Sequence, residues 1–264
     1  MLSTVKVLWT YRDFMLGSAK REFQSRYRNS LLGAAWTVIQ PLAMIVVYTV
    51  IFSQIMRAKL PGVDSTFAYS IYLCAGVITW GFFAEIISRA QNVFIENANL
   101  MKKISFPRLC LPIILLLNAS LNFAIIFSLF IAFLVITNQF PGWVFFSILP
   151  ILAVQVIFAM GLGFTIGVLN VFFRDAGQLF SVILQFWFWL TPIVYPVDIL
   201  PESLQGWMAF NPMVPIISAY QNVLVFGDMP DWGKIWLPLA IGLVLCLLGL
   251  NLFRKRAGEL VDEL

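Results

Sequence analysis

Long apolar runs separated by short polar stretches make up most of the chain. A helix that crosses a membrane needs about 20 mostly apolar residues. Six runs reach that length, and they cover residues 33–56, 67–88, 109–137, 143–173, 177–195 and 235–253. The pattern therefore predicts an all-α integral membrane protein with six transmembrane helices, in a single domain over residues 1–264.

Residues 11–32 have one apolar side and one basic side when they are placed on a helix. The apolar arc holds Met15, Leu16, Ala19, Phe23 and Tyr27, and the opposite arc holds Lys20, Arg21, Gln24 and Arg28. A surface helix of a soluble protein has the same pattern. Because this one directly precedes a span, we predict an amphipathic helix that lies in the membrane interface.

Residues 197–233 are too many for a simple turn between the last two spans and too apolar for a solvated loop. Prolines at 201, 212, 215 and 230 break the stretch into short pieces. Its longest apolar run, residues 214–226, is too short to cross a bilayer. We predict short helices that re-enter the membrane from the outer side, and the alternative is a folded loop on the outer surface.

The composition agrees with lipid as the solvent for most of the chain. Of the 264 residues, 61% are hydrophobic and 11% are charged, whereas about a quarter of the residues in a soluble domain are charged. The first ten residues contain one lysine and no long apolar run, so we expect no cleaved signal peptide. Cys74, Cys110 and Cys246 lie in or beside apolar runs at no metal-binding spacing, and the chain has no histidine.

The positions of the lysines and arginines indicate the orientation of the spans. Of the 17 such residues, only Arg57, Lys59 and Lys234 fall after spans one and five. The others lie in the N-terminal segment, after spans two and four, and after span six. Because cytoplasmic loops carry the excess of positive charge, both termini are expected in the cytoplasm.

The sequence contains no motif for catalysis or nucleotide binding that we can identify. It lacks a Gly-x-x-x-x-Gly-Lys-Ser/Thr phosphate loop, a His-Glu-x-x-His zinc motif and a serine nucleophile elbow. Glu85 is the one acidic residue inside a predicted span. Arg89 follows it by four residues, which predicts a local ion pair rather than a proton-transfer site.

Two sets of side chains suit particular ligands. Flat rings can stack on sugars, and they are dense in spans two and five, at Trp80, Phe82, Phe83, Trp187 and Trp189. Tryptophan at membrane interfaces and phenylalanine facing lipid are also common. The second set would bind an anionic headgroup such as pyrophosphate, or ordinary anionic lipid, through Lys20, Arg21, Arg26 and Arg28.

Residues 96–108 form the longest polar interruption between apolar runs in the first two thirds of the chain. The stretch carries Lys102 and Lys103 and ends in Pro107-Arg108. An ordinary cytoplasmic loop and a docking segment for a separate motor protein both fit this pattern. Since the chain has no nucleotide-binding motif, active transport would require such a motor.

Several motifs, in order along the chain, resemble the membrane subunits of bacterial polysaccharide ABC exporters, the type-2 permeases for O-antigen and teichoic acid. The motifs are Arg26-Tyr27-Arg28-Asn29-Ser30-Leu31-Leu32-Gly33, Gln40-Pro41, Leu100-Met101-Lys102-Lys103-Ile104-Ser105-Phe106-Pro107-Arg108, Phe172-Phe173-Arg174-Asp175, Trp189-Leu190-Thr191-Pro192-Ile193-Val194-Tyr195-Pro196, Leu200-Pro201 and Asn211-Pro212. One departure is Gln221, where an arginine is often expected in this family.

The resemblance implies roles for several segments. Residues 96–102 would form a coupling helix in a groove of an ATPase, with Arg174 and Asp175 as a second cytoplasmic contact. The coupling residues would then be Glu96, Asn97, Ala98, Asn99, Leu100, Met101 and Lys102. Residues 197–233 would form outer gate helices, and the gate residues would be Pro192, Pro196, Pro201, Asn211 and Pro212.

The resemblance also implies partners and a location. Two copies of the chain and two copies of an ATPase subunit would assemble in the bacterial inner membrane, and a polyprenyl-pyrophosphate-linked glycan would pass between the permeases. ATP and Mg²⁺ would be bound by the partner, with no cofactor in this chain and no nucleic acid involved. Teichoic acid or capsule export, export of a small molecule, secondary transport, and an enzyme acting on polyprenyl-linked sugars remain as alternatives.

Overall fold

A computed structural model of the chain describes residues 9–27, 33–55, 67–103 and 106–256, together with residues 6, 60, 65, 258, 259 and 263. Within these residues all regular secondary structure is helical, and no strand occurs. The all-α fold predicted from the sequence is therefore confirmed. A helix satisfies its own backbone hydrogen bonds, which an apolar chain in lipid requires.

Eleven α-helices lie in the described part of the chain. They are α1 (Arg12–Tyr27), α2 (Trp36–Tyr48), α3 (Ala68–Ala90), α4 (Val93–Glu96), α5 (Ala98–Lys103), α6 (Cys110–Ile136), α7 (Ile148–Phe172), α8 (Asp175–Trp189), α9 (Glu202–Met208), α10 (Met213–Gln221) and α11 (Trp232–Arg256). Short 3₁₀ turns precede α2, α7 and α9, and π-helical turns extend α2 to Ile55 and α10 to Phe226.

Four helices are long and apolar enough to cross a membrane: α3, α6, α7 with its preceding 3₁₀ turn, and α11. The shortest of these, α3, has 23 residues. At about 1.5 Å per residue it is roughly 35 Å long, more than the thickness of a hydrocarbon core. The four helices coincide with the predicted spans at 67–88, 109–137, 143–173 and 235–253.

The other two predicted spans are not matched by single long α-helices. In the first, helical backbone runs from Gly33 to Ile55 as a 3₁₀ turn, α2 and a π-helical turn, and the apolar helix covers Trp36–Phe52. In the fifth, predicted to end at residue 195, α8 has 15 residues and ends at Trp189, and residues 191–195 form a bend. Pro192 explains this end, because proline disfavours helical backbone at the preceding residue and has no N–H to donate.

Helix α3 lies at the centre of the bundle. Most of its side chains are buried, and it packs against α6, α7 and α10. Phe83 of α3 is fully buried and stacks on Phe158 of α7, with ring centroids 5.5 Å apart. Helix α7 lies along α11 at close range, since a Cβ on Gly161 would come within 2.6 Å of the Gly242 carbonyl oxygen. Small residues permit such close helix packing in membranes.

The N-terminal helix and the stretch before the last span also take helical form. Helix α1 begins at Arg12 and is described to Tyr27, so residues 28–32 of the predicted 11–32 helix lie outside the described residues. Between residues 197 and 233, the predicted short helices are α9 and α10 with their 3₁₀ and π turns. Neither α9 nor α10 is long enough to cross a bilayer.

Candidate functional site

The segment after α3 consists of two short helices rather than one. Helix α4 ends at Glu96, Asn97 forms a break, and α5 begins at Ala98. Asn97 donates from Nδ2 to the Val93 carbonyl oxygen (2.8 Å), which caps the end of α4. The single helix predicted over 96–102 is therefore divided between α4, which holds Glu96, and α5, and the coupling role of these residues stays a prediction.

The exposed side chains of this segment are spaced three residues apart. Glu96, Asn99 and Lys102 are exposed, whereas Met101 is buried and Leu100 packs against the core. Asn99 and Lys102 are three positions apart on α5, which places them on the same face of that helix, and Glu96 lies on α4 just before the break. Three polar groups thus project from the end of the bundle on an apolar base. The side chain of Lys103 and residues 104–105 lie outside the described residues.

Aromatic packing fixes this segment to the bundle. Phe94 of α4 is fully buried. Its ring lies 5.9 Å from that of Phe164 in α7 and 5.7 Å from that of Phe253 in α11. A rigid displacement of α4 would therefore be transmitted to two spans through packed rings.

Asn170 connects the end of α3 to the start of α8. Its Nδ2 donates to the Gln91 carbonyl oxygen (2.8 Å), and its Oδ1 accepts from the Gly177 backbone N–H (2.8 Å). This buried amide brings the loop that carries Arg174 and Asp175, both exposed, to the end of the bundle at which α4 and α5 lie. The two predicted coupling regions are thus at one end of the molecule.

Helix α1 packs on the beginning of α6. Met15 is buried with Cys110 and Ile114 of α6, and the rings of Phe14 and Phe106 are 5.5 Å apart. Of the four predicted headgroup-binding residues, Lys20 and Arg21 are exposed on α1, and Arg21 donates to the Ser18 hydroxyl (2.9 Å). The side chain of Arg26 and all of Arg28 lie outside the described residues.

A polar network links α1, α3 and α6 at the same end of the bundle. The ion pair predicted between Glu85 and Arg89 is confirmed, with Oε1 and Nη1 3.5 Å apart. Arg89 also pairs through Nη2 with Glu22 of α1. Asn118 of α6 donates to Glu22 (2.7 Å), and Asn122 of α6 donates to Glu85 (2.8 Å). Sequence reasoning missed Glu22, Asn118 and Asn122.

Two cavities border this network. One, of about 450 Å³, lies between α1, the end of α3, α4, α5 and the start of α6, and Arg21, Glu22, Arg89 and Glu96 line it. The other, of about 580 Å³, lies between α2, α3 and α6, with Gln40, Glu85 and Asn122 among its lining residues. The charged and amide side chains of this network thus face cavities or one another, as expected for polar groups in lipid.

The five aromatic residues predicted to stack on sugars differ in their exposure. Trp80, Phe82 and Phe83 are buried. Trp187 is half-buried, and its Nε1 donates to Asn211 Oδ1 (2.8 Å). Trp80 and Trp189 line an open cleft of about 540 Å³ between α3 and α8, and Trp189 is 64% exposed. Only these last two rings line that cleft among the five predicted.

The bend after α8 is held by three side chains from two other helices. Tyr69 and Tyr72 of α3 donate to the carbonyl oxygens of Val194 (2.8 Å) and Tyr195 (3.0 Å). Gln221 of α10 donates to the carbonyl oxygen of Pro192 (3.3 Å). Irregular backbone leaves carbonyl oxygens without helical partners, and these side chains supply donors for three of them. Gln221, the departure from the family pattern, is therefore a buried hydrogen-bond donor here.

Asn211 joins the predicted gate residues to the end of α8. It accepts from Trp187 and from the Met213 backbone N–H (3.0 Å), and it donates to the Leu190 carbonyl oxygen (3.1 Å). Pro212 begins α10 as its N-cap, and Pro201 precedes α9 in the same way. Pro192 is buried and Pro196 half-buried in the bend between α8 and α9.

Between α8, α9 and the start of α10 lies an aromatic cavity of about 660 Å³, which Tyr195, Trp207 and Phe210 help to line. Trp207 and Phe210 are 73% and 79% exposed. Such an apolar, aromatic face suits the membrane interface.

At the entry to α11, Lys234 pairs with the Asp231 carboxylate (3.2 Å), and this hydrogen bond lowers the pKa of Asp231.

The site therefore combines a polar surface at one end, a network that joins three helices beneath it, and a braced bend at the other end. The hydrogen bonds and ion pairs of the network join α1, α3 and α6, so a movement of one of these helices would affect the other two. The exposed groups of α4, α5 and the α7–α8 loop suit contact with a partner protein.

Comparison with known proteins gives the family. Residues 16–225 match the family described as "ABC-2 type transporter". The chain is 27% identical over 266 residues to an O-antigen export system permease protein of Myxococcus xanthus, with all of both chains covered. It is 29% identical over 244 residues to a protein of that name from Klebsiella pneumoniae, with 92% of each chain covered. A polysialic acid transport protein of Escherichia coli is 21% identical, with 92% of this chain and 93% of that protein covered.

Proposed function

The chain belongs to the ABC-2 type transporter family, and from this premise we propose that it is the transmembrane subunit of an ABC transporter that exports polyprenyl-pyrophosphate-linked polysaccharide of the O-antigen type. The observation that carries the proposal is the similarity to O-antigen permeases over 92% or more of the chain. The similarity extends through α1, all the long helices and the gate region, so it covers every part of the candidate site.

We propose that α2 and α8 cross the membrane and complete six spans. Helix α1 packs on Phe106 and Cys110, at the end of the bundle where α3 finishes and α6 begins. Helix α2 follows α1 and leads towards the start of α3, at the opposite end. Helix α8 likewise starts beside Gln91, through Asn170, and its bend binds Tyr69 near the start of α3. Both short helices therefore run from one end of the bundle to the other.

The energy for transport would come from a separate ATPase. The sequence has no phosphate loop of its own. The proposed docking surface consists of Glu96, Asn99 and Lys102, with Arg174 and Asp175 beside them. These groups are exposed at one end of the bundle, and the positive-inside distribution of charge favours the cytoplasm for that end. Two permeases and two ATPases would form the complete transporter.

The substrate would meet the protein at three places. Lys20 and Arg21 on α1, with Arg26 and Arg28 after them, would bind the pyrophosphate at the cytoplasmic surface. Trp80 and Trp189, in the open cleft between α3 and α8, would face the glycan in the dimer, while Phe82 and Phe83 would support them from the core. The bend and α9–α10 would form the outer gate, with Asn211 holding the bend to α8.

A capsule or teichoic acid polymer is the second candidate substrate. The similarity to a polysialic acid transport protein of Escherichia coli and a capsule polysaccharide export inner-membrane protein of Neisseria meningitidis favours the capsule form of this alternative. A metal-dependent enzyme acting on polyprenyl-linked sugars is disfavoured. In the described part of the chain, the acidic side chains do not form a cluster that could hold a metal ion.

Deletion of the gene in its own host tests the function. We expect lipid-linked polysaccharide to accumulate on the cytoplasmic side while the polymer disappears from the cell surface, and the intact gene should restore both. Mild acid releases the polymer from a pyrophosphate-linked lipid, and its sugar composition then distinguishes O-antigen from capsule or teichoic acid. Normal surface polysaccharide in the deletion strain would refute the proposal.

A further inference from the structure

The polar residues of α3 and α6 face one another in two layers. Glu85 and Arg89 are one helical turn apart on α3, and Asn122 and Asn118 are one turn apart on α6. Since the two helices are antiparallel neighbours, Glu85 pairs with Asn122 and Arg89 lies at the level of Asn118. The first pair closes directly, because Asn122 Nδ2 donates to Glu85 Oε2 at 2.8 Å.

The second layer is completed by a residue of α1. Arg89 offers only donors, and the Asn118 amide also presents its donor, Nδ2, to this layer. Glu22 supplies the acceptors: its Oε1 pairs with Arg89 and its Oε2 accepts from Asn118 at 2.7 Å. Two donors on two spans thus converge on one carboxylate of the interface helix.

We propose that Glu22 and Arg89 are positioning residues that hold α1 against the bundle, so that the interface helix follows the movement of α4 and α5. Arg89 lies at the end of α3, immediately before the turn that leads into α4. A cavity of about 450 Å³ lies between α1 and α4–α5, and Arg89 and Glu22 meet at its wall. The Glu22–Arg89 ion pair therefore forms part of the wall of a cavity that lies between α1 and α4–α5.

The Glu22–Arg89 ion pair is partly shielded from solvent, so its loss should affect the position of α1. The Arg89 side chain is 22% exposed and Glu85 20%, whereas Glu22, on the outer helix, is 42% exposed. An Arg89 that loses Glu22 keeps only Glu85 as its paired carboxylate in this network, and the Asn118 amide loses the carboxylate oxygen to which it donates. Removing one member of such a network leaves the others incompletely paired in a poorly hydrated place, which favours separation of α1.

Cys110 reports directly on whether α1 is docked. It is fully buried under α1, in one cluster with Met15. With Cys74 and Cys246 replaced by serine, Cys110 is the one cysteine left in the chain. Its reaction with a small maleimide in native membranes then measures how often α1 opens.

The variants are Glu22→Gln and Arg89→Gln, with Asp13→Asn as the matched control. Asp13 is an exposed acidic residue of the same helix, so its removal changes the charge of α1 equally without touching the network. We expect Cys110 to react at least about tenfold faster in the first two variants, and at the unaltered rate in the control, since a factor of ten corresponds to 1.4 kcal/mol. The double variant should react no faster than the faster single variant, because both remove the same contact.

The consequence for transport is measured in the assembled complex with its ATPase and rests on the proposed function. We expect Glu22→Gln to lower export at least about tenfold while ATP hydrolysis stays within about twofold of the wild-type rate. If Glu22→Gln is absent from the membrane, Glu22→Asp and Arg89→Lys, which keep the charges, are used instead. A purely structural role would reduce export, hydrolysis and the amount of complex together.

The two proposals fail in different ways. Cys110 protected equally in wild type and both variants overturns the docking role of Glu22 and Arg89, whatever the complex transports. Equal loss of export and ATP hydrolysis overturns their role in coupling. Absence of export by the wild-type complex overturns the proposed function, and the labelling result still decides whether the pair holds α1.

Discussion

At residue 167 the backbones of two spans touch. A Cβ built on Gly167 of α7 would collide with the carbonyl oxygen of Ala90, the last residue of α3. Gly163, one turn earlier, has the same relation to the Ala90 side chain, at 2.7 Å. The end of α3, from which α4 follows, is thus positioned by contact with a glycine face on α7.

We predict that Gly167→Ala destabilises the protein. The extra carbon must push α3 and α7 apart, and overpacking of this kind costs about 1–3 kcal/mol. The matched control is Gly81→Ala in α3, where a Cβ meets nothing within 4 Å. Thermal denaturation of the two variants in the same detergent should give a lower Tm for Gly167→Ala only. Equal Tm values would show that the contact does not fix the spacing of α3 and α7.

At the scale of single residues, local pairs were predictable and distant pairs were not. The Glu85–Arg89 pair follows from a spacing of four on one helix. Glu22 lies 67 positions from Arg89 and 96 from Asn118, so no local pattern connects them. One signal was available, because Asn118 and Asn122 are polar residues one turn apart in a long apolar run, where polar groups usually pair with other helices.

At the scale of elements, the polar segment after α3 exposes charge on a buried apolar base. Met101 is buried and Lys102 is exposed, so a substitution at Lys102 alters the surface and leaves the packing unchanged.

The length of the apolar runs predicted the bounds of α3, α6, α7 and α11 closely. It overestimated α8, because the run continues through Pro192 although the helix does not.

We predict that Lys102→Glu uncouples the transporter. Reversal of a charge at a protein interface costs several kcal/mol when like charges meet, so ATP hydrolysis should continue while export falls at least about tenfold. Lys255→Glu, at the end of α11, is the control, because it is exposed and reverses one charge outside the coupling segment. Export and hydrolysis are measured in the same membranes. Unchanged export by Lys102→Glu would exclude this residue from coupling.

At the scale of the whole molecule, the number of crossings decides which parts share a side of the membrane. Four helices are long enough to cross by length and composition alone. With only those four, α5 and the stretch before α11 would lie on the same side. With α2 and α8 crossing as well, they lie on opposite sides.

We predict opposite sides for Asn99 and Met229, both of which are exposed. Each position is changed to cysteine in a chain whose three native cysteines are replaced by serine. In spheroplasts, which retain an intact inner membrane, a membrane-impermeant maleimide should label position 229, and position 99 should react only after the membrane is opened. Reaction of both positions in intact spheroplasts would refute the six-span topology.

We propose that this chain, with an ATPase partner, moves a lipid-linked polysaccharide across the membrane. The most direct measurement uses inside-out vesicles that contain both proteins and a labelled polyprenyl-pyrophosphate glycan on their outer face. On addition of ATP, the glycan should become protected from an added glycosidase, and vesicles that lack either protein should show no protection. Equal protection without this chain, or none with both proteins and ATP, would contradict the proposed transport function.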